Sequence, residues 1–165
     1  MIHNTHMSQH IPVNAFNFIT GTWTDSAGPV AGQPSRKKTA AAETTVVNIP
    51  VAIPSNSVAL QGAKLASVEV DYEIRTAALT SVTAVLNKIT RGADLAVAVV
   101  AAQTFTQTPT AAVSDDVDQH RLIITPSTPF WVDDDEYVML ELTCVCAATS
   151  VLEFYGAKAN FTLRV

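Results

Sequence analysis

A period of two runs through the longest patterned stretches of this chain. From Lys64 to Arg75, Leu65, Val68, Val70, Tyr72 and Ile74 alternate with Ser67, Glu69, Asp71, Glu73 and Arg75. From Glu136 to Ala147, Val138, Leu140, Leu142, Cys144 and Cys146 alternate with Tyr137, Met139, Glu141, Thr143 and Val145. Successive side chains of a strand point to opposite faces, so each stretch has one face for a core and one for solvent or a partner. No stretch shows a convincing amphipathic helix, which argues against βαβ units and the doubly wound nucleotide folds built from them.

Further strands are expected over Ile11–Asp25, Glu43–Ile53, Ser81–Thr90, Leu95–Thr106, His120–Thr125, Phe130–Val132 and Val151–Val165. Ser26–Lys38, with Gly28, Pro29, Gly32 and Pro34, reads as a long exposed loop, and Thr108–Gln119 as another. Ala148–Thr149–Ser150 reads as the turn of a closing hairpin, with a bulge at Gly156. Ala, Thr and Val supply 64 of the 165 residues, a bias that suits packed sheets. The expectation is an all-β chain: an antiparallel, jelly-roll-like β-sandwich of eight to ten strands, with residues 1–10 as an N-terminal arm and 11–165 as one domain.

Charge and cysteine content narrow the function. Charged residues are only 15% of the chain, which suits a subunit that meets other subunits. The net charge of −5 argues against nucleic acid as a partner, because phosphate binding needs a basic footprint. The apolar run Leu95–Ala102 is too short to cross a membrane as a helix, and no basic start leads into an apolar run, so neither a membrane anchor nor a secretion signal is expected. Cys144 and Cys146 lie two apart on one strand face and read as buried free thiols.

The residues that could carry chemistry do not assemble into a motif. His3, His6 and His10 offer imidazoles to a metal, but on a tail without fixed geometry. Asp115, Asp116 and Asp118, and Asp133, Asp134, Asp135 and Glu136, lack the spacing of a calcium loop. Glu69 and Glu73 share the outer face of one strand, whereas glycosidase carboxylates face each other across a cleft. His120 is the one histidine outside the N-terminal segment, and no G-x-S-x-G turn is present. The glycines are scattered and form no phosphate loop. Trp23, Trp131, Phe130 and Tyr137 could form a sugar-stacking platform if they met at one rim, but core or interface roles fit them better. No cofactor and no catalytic activity are expected.

Val58-Ala-Leu-Gln-Gly-Ala-Lys-Leu-Ala-Ser-Val-Glu-Val-Asp-Tyr-Glu-Ile74 and Val151-Leu-Glu-Phe-Tyr-Gly-Ala157 resemble the small Ala/Thr/Val-rich β-sandwich proteins of tailed-bacteriophage virions, among them capsid decoration (cement) proteins. The likeness covers roughly residues 11–165 in style and has no invariant motif. It implies a homotrimer that binds the major capsid protein and stabilises the capsid lattice, with the protein made in the host cytoplasm and residing in the virion. Two regions are then the candidate contacts: Ile11, Val13, Phe16 and Phe18 as anchors of an N-terminal arm, and Arg36, Lys37 and Lys38 as the basic end of the loop. A tail, fibre or jelly-roll capsid component is an alternative, as is a carbohydrate-binding host-attachment module.

Overall fold

The computed structural model describes residues 4–55, 62–92 and 99–164. His3, the start of the Leu95–Thr106 segment and Val165 lie outside the described residues. The strands are β1 (Asn4–Pro12), β2 (Asn17–Phe18), β3 (Trp23–Ala27), β4 (Pro34–Lys38), β5 (Glu43–Val51), β6 (Gly62–Arg75), β7 (Ser81–Thr90), β8 (Val99–Gln103), β9 (Phe105–Thr108), β10 (Gln119–Pro126), β11 (Glu136–Cys146) and β12 (Val151–Arg164). A 3-10 turn at Val13–Ala15 and a single helical turn at Ala111–Ser114 are the helical elements among the described residues.

Two antiparallel sheets make a β-sandwich. The first runs β3-β4-β12-β6-β10-β9, with β1 also paired to β12; the second runs β2-β5-β11-β7-β8. The long strands alternate between sheets along the chain, so β6, β10 and β12 share one sheet and β5, β7 and β11 the other. That is the winding expected of a jelly roll. There are more strands than the alternation announced, because β1, β2, β3, β4 and β9 are short or polar pieces that show no clean period of two.

The inward residues of both sheets form one core. Leu65, Val68, Val70, Tyr72 and Ile74 of β6, Leu122 and Ile124 of β10, and Leu152 and Phe154 of β12 meet Val47 and Ile49 of β5, Leu86 of β7 and Val138, Leu140, Leu142 and Cys144 of β11. At one end Phe18, Trp23, Tyr72 and His120 gather around or beside Phe154; the Phe18–Trp23 centroids are 4.5 Å apart and the Trp23–Phe154 centroids 5.7 Å. Both cysteines are free and buried, and burial pushes the Cys144 thiol up to about 12, too high for a nucleophile near neutrality.

Three expectations are corrected. Ile11–Asp25 is not one strand. Its apolar positions 11, 13, 16 and 18 miss a beat between Val13 and Phe16, and there the 3-10 turn carries the chain from the first sheet to the second. Ser26–Lys38 is not a loop throughout: β3 and β4 pair from Trp23↔Lys38 to Ala27↔Pro34, leaving only a tight connection around Gly28–Gln33. Leu95–Thr106 is not one buried strand: its described part divides at Thr104 into β8 and the start of β9, which lie in different sheets, and β8 is an edge strand with Val99 62% and Val100 59% exposed.

Candidate functional site

The register of the first sheet sets out the side chains of its outer face in rows. β12 pairs with β6 on one side and with β1 on the other, and cross-strand partners share a face. One row reads His10–Lys158–Glu69–Ile123 and the next Ser8–Asn160–Ser67. Beyond them His6 is opposite Thr162, Thr162 opposite Lys64, and Lys64 forms a bridge to Trp131. In the other direction Asp71 stands opposite Arg121, and Glu73 between Glu153 and Gln119.

Four cavities follow this face along β12. The first, about 320 Å³, is bounded by Pro29 and Gln33 of the β3–β4 turn, Gln119, His120 and Tyr155. The second, about 300 Å³, shares Gln33, Asp71, Arg121 and Tyr155 with it and extends past Glu69 and Lys158 to His10. The third, about 240 Å³, lies beside Ser8 and Asn160, and the fourth, about 480 Å³, reaches Lys64, Trp131 and Arg164; both touch His6. The first two share a wall and the last two share His6, so two open hollows, with no lining residue in common, follow one another along β12 as a groove. From Tyr155 to Thr162 it spans roughly 23 Å at about 3.3 Å per strand residue.

The outer face of the first sheet, in and beside the groove, is charged but internally paired. Arg75 reaches Glu73 at 2.5 Å and Glu153 at 3.0 Å. Arg121 holds Asp71 at 2.7 Å, and Lys158 holds Glu69 at 3.0 Å. Asn160 donates to Glu69 at 2.6 Å and to the Ser67 hydroxyl at 3.0 Å. The Tyr155 hydroxyl donates to Glu73, and the Ser35 hydroxyl to the buried Glu153 at 2.5 Å. The Arg75 hydrogen bond outweighs burial at Glu73, and the Tyr155 hydroxyl adds to it, so the carboxyl stays below the ordinary value of 4.5. At Glu69 burial pushes upward, but hydrogen bonds from Lys158 and Asn160 and the charges of Lys158 and Arg121 carry it below that value too. Burial, with Glu73 and Glu153 close by, raises the Tyr155 phenol. These groups are fixed hydrogen-bonding partners held on rigid strands.

The expected contact residues fall elsewhere. Ile11, Val13 and Phe16 are buried in the chain's own core, and Phe18 packs against it. They are not displayed as anchors, because β1 lies along β12 and the 3-10 turn folds these apolar residues inward. The basic run belongs to β4. Arg36 pairs with Asp25 at 3.0 Å and lies 5.7 Å from the Phe18 ring centroid. Lys37 stands opposite Glu153, and Lys38 is fully buried, its ammonium donating to the Thr39 and Ala41 carbonyls at 3.1 and 2.8 Å with Glu43 at 3.3 Å. This run therefore does not form a free basic surface.

The other candidates also separate. His6 and His10 stand two rows apart on β1, and no cluster of His, Cys, Asp or Glu among the described residues is arranged to hold a metal. His120 is buried, with Nε2 2.9 Å from the Asp116 carbonyl. Of the four aromatics, Trp23 and Phe130 pack on the core, Tyr137 faces outward on the second sheet, and Trp131 alone lines the groove. Sequence reasoning missed Tyr155. It alternates with the inward Leu152 and Phe154, and the register shift between Phe154 and Gly156 leaves it as the unpaired residue of the bulge, beside Glu73. The glycine is required there: its φ is +148°, and a Cβ would come within 3.1 Å of the Ile11 carbonyl oxygen. Gly156 was visible in the sequence as a bulge signal; what the bulge would present was not.

No protein-family model matches the chain, and no curated protein matches its sequence. Solved structures do. One, described under carbohydrate-binding modules of the β-sandwich superfamily, is 10% identical over 93% of this chain, with a TM-score of 0.45. A second is Clostridium thermocellum endo-1,4-beta-D-xylanase 10B, its CBM22-1 and GH10 modules complexed with xylohexaose, 8% identical over 94% of this chain with a TM-score of 0.45. The chain spans 55% of the length of the first and 28% of the second. A carbohydrate esterase from Shiga toxin-encoding bacteriophage phi24B is 14% identical over 92% of this chain and 91% of that one, with a TM-score of 0.43. At these identities and scores, no residue role passes from any of them to this chain.

Proposed function

We propose that this protein is a non-catalytic carbohydrate-binding β-sandwich that takes an extended glycan along the outer face of its first sheet. The observation that carries this reading is the groove itself: two open hollows in line along β12, floored by paired polar side chains, with Tyr155 toward one end and Trp131 at the other. A small-molecule pocket is concave and mostly apolar, whereas this surface is long and lined with donors and acceptors. Sugar hydroxyls take hydrogen bonds from and give them to such groups, and aromatic rings offer an apolar face beside a polar edge. Glu69, Asp71 and Glu73 come from one strand and each has a cationic partner, and Glu153 opposite Glu73 is tied to the same Arg75, so among the described residues of this face no free acid and base flank a reacting bond. This supports binding without hydrolysis.

Calorimetry on the whole chain with neutral and acidic oligosaccharides of several linkages tests the reading. Binding by at least one of them, weakened roughly tenfold or more by Tyr155→Ala or Arg121→Ala, is the expected result. If no glycan binds, or if both variants bind as the parent does, the reading fails.

A second reading, an assembly subunit of the virion kind, is favoured by a different surface. The outer face of the second sheet carries Val46, Pro50, Val85, Ile89, Val100, Met139 and Tyr137, and Glu141 is the one charged side chain at its described outward positions. β8 pairs with β7 on one side, and no described strand covers its other edge. An uncharged face and an open edge suit a second copy of this chain, which would meet no like-charge penalty there. The two readings use opposite faces and are compatible: a symmetric assembly on one side would present several glycan grooves on the other.

A further inference from the structure

We propose that the Trp131 end of the groove binds the carboxylate of an acidic sugar residue, so that the glycan taken by this protein is anionic. The inference rests on the glycan-binding reading of the groove and names the class of sugar. The other cations of this face, Arg75, Arg121 and Lys158, are each neutralised by a carboxylate. Lys64 and Arg164 share the same face, yet neither forms an ion pair among the described residues, and no acidic side chain lines the cavity of about 480 Å³ between them. In a chain of net charge −5, two cations with no ion-pair partner among the described residues, facing one cavity, form a local site of opposite sign.

The geometry favours a ring that bears a carboxylate. The Arg164 Nε is buried with no hydrogen-bond partner among the described residues. A buried donor of this kind gains when a ligand supplies the acceptor. The guanidinium fork matches the two oxygens of a carboxylate. Across the strand from Arg164 is Gly62, which has no side chain to occupy that space. Lys64 stands between Thr162 and Trp131, its ammonium 5.8 Å from the Trp131 ring centroid. The site thus pairs two cations with an aromatic wall and hydroxyl and imidazole neighbours in Thr162 and His6. A free inorganic anion would use the cations alone; a uronic or sialic acid would also use the wall.

The test is calorimetry on the full chain with three probes: tri-galacturonic acid, its fully methyl-esterified form, and sialyllactose. Preference for an acidic probe over the uncharged ester is expected. Lys64→Ala and Arg164→Gln should each reduce acidic-probe binding roughly 10-fold to 100-fold and bring it close to that of the methyl ester. Binding by tri-galacturonic acid identifies a uronic acid, and binding by sialyllactose alone identifies a sialic acid; either result supports the inference. Equal binding of acid and ester, or acid binding indifferent to both substitutions, overturns it while leaving the groove reading intact. Absence of binding by any neutral or acidic glycan overturns both. Thermal unfolding of each variant alongside the parent separates loss of the site from loss of the fold.

Discussion

The two outward faces of the sandwich rise from the same core on strands of the same alternating kind, and they differ almost completely. On the first sheet the outward positions of β6, β10 and β12 are Glu69, Asp71, Glu73, Arg75, Arg121, Glu153, Lys158 and Asn160, tied to one another by ion pairs and hydrogen bonds. On the second sheet the corresponding positions of β7, β8 and β11 include Val85, Ile89, Val100, Met139 and Tyr137 with the uncharged Thr83, Asn87 and Thr143, and Glu141 alone is charged. Exposed ion pairs add little to stability. An array this dense at the surface is better understood as a preset hydrogen-bonding template for a polar partner. A nearly chargeless face can be covered without stripping water from ions. The alternation dictates which residues point out; the identity of those residues decides what each face can meet.

The comparison supposes that both faces stand on one indivisible core, and Phe154 is the place to break that supposition. It is 1% exposed, sits in the aromatic cluster with Phe16, Phe18, Trp23 and Tyr72, and lies next in sequence to Glu153 and Tyr155 of the groove. Phe154→Ala should cost about 3–5 kcal/mol, the range for truncating a buried aromatic. Urea unfolding followed by Trp fluorescence and by far-UV dichroism should give one coincident, shifted transition. Two separated transitions would mean that the sheets unfold independently and that their faces need not be considered together.

How much of this was legible follows from the range of the information. The inward and outward sets of Leu65–Arg75 and Glu136–Cys146 are local and could be read directly. The sandwich followed from the number of such segments and the lack of helices. The burial of Ile11, Val13 and Phe16 was not legible, because an apolar residue on a polar segment looks the same whether it anchors a partner or its own core. The missed beat between Val13 and Phe16 was the available sign of the 3-10 turn. The groove was out of reach for a different reason. The row His6–Thr162–Lys64–Trp131 depends on a register linking the two ends of the chain, and the neighbours of Tyr155 depend on the bulge at Gly156 and on the pairing of β12 with β6.

Acid should separate the faces more gently. Glu69 and Glu73 are held below 4.5 in the folded chain, so they bind protons more readily when it is unfolded. Their contribution to stability is present above about pH 4.5 and is lost as the pH falls through their folded values. The same protonation removes the acceptors that fix Lys158, Asn160, Arg75 and Tyr155. Amide spectra recorded from pH 6 downward should therefore show changes along β6 and β12 around the groove below about pH 4.5. Against its burial, Glu136 is also held below 4.5 by Lys88 and Thr90, so that end of β7 should respond in the same range; Ser81–Val85 at its other end, which carry no carboxylate, should move later and only with global unfolding. Simultaneous change at Ser81–Val85 would mean that the groove's ion pairs are not what ties its side chains together.

The smallest expected change in stability sharpens the second face. Val100 is 59% exposed on β8, paired across the strand with Ile89. Because it contributes little to the core, Val100→Lys should alter unfolding free energy by no more than about 0.5 kcal/mol. It places a cation in the middle of an uncharged face and beside an open strand edge, a device that suppresses edge pairing. If that face meets a second copy, light scattering should give a multiple of the monomer mass for the parent and the monomer mass for Val100→Lys, with glycan binding per chain unchanged. A threefold mass would agree with the trimer implied by the resemblance to virion proteins, and a twofold mass would point to β8 pairing across a two-fold axis. A parent that stays monomeric at high concentration would remove the second copy as the occupant of this face. The polar groove would then be the one surface of the sandwich with a partner argued from its chemistry.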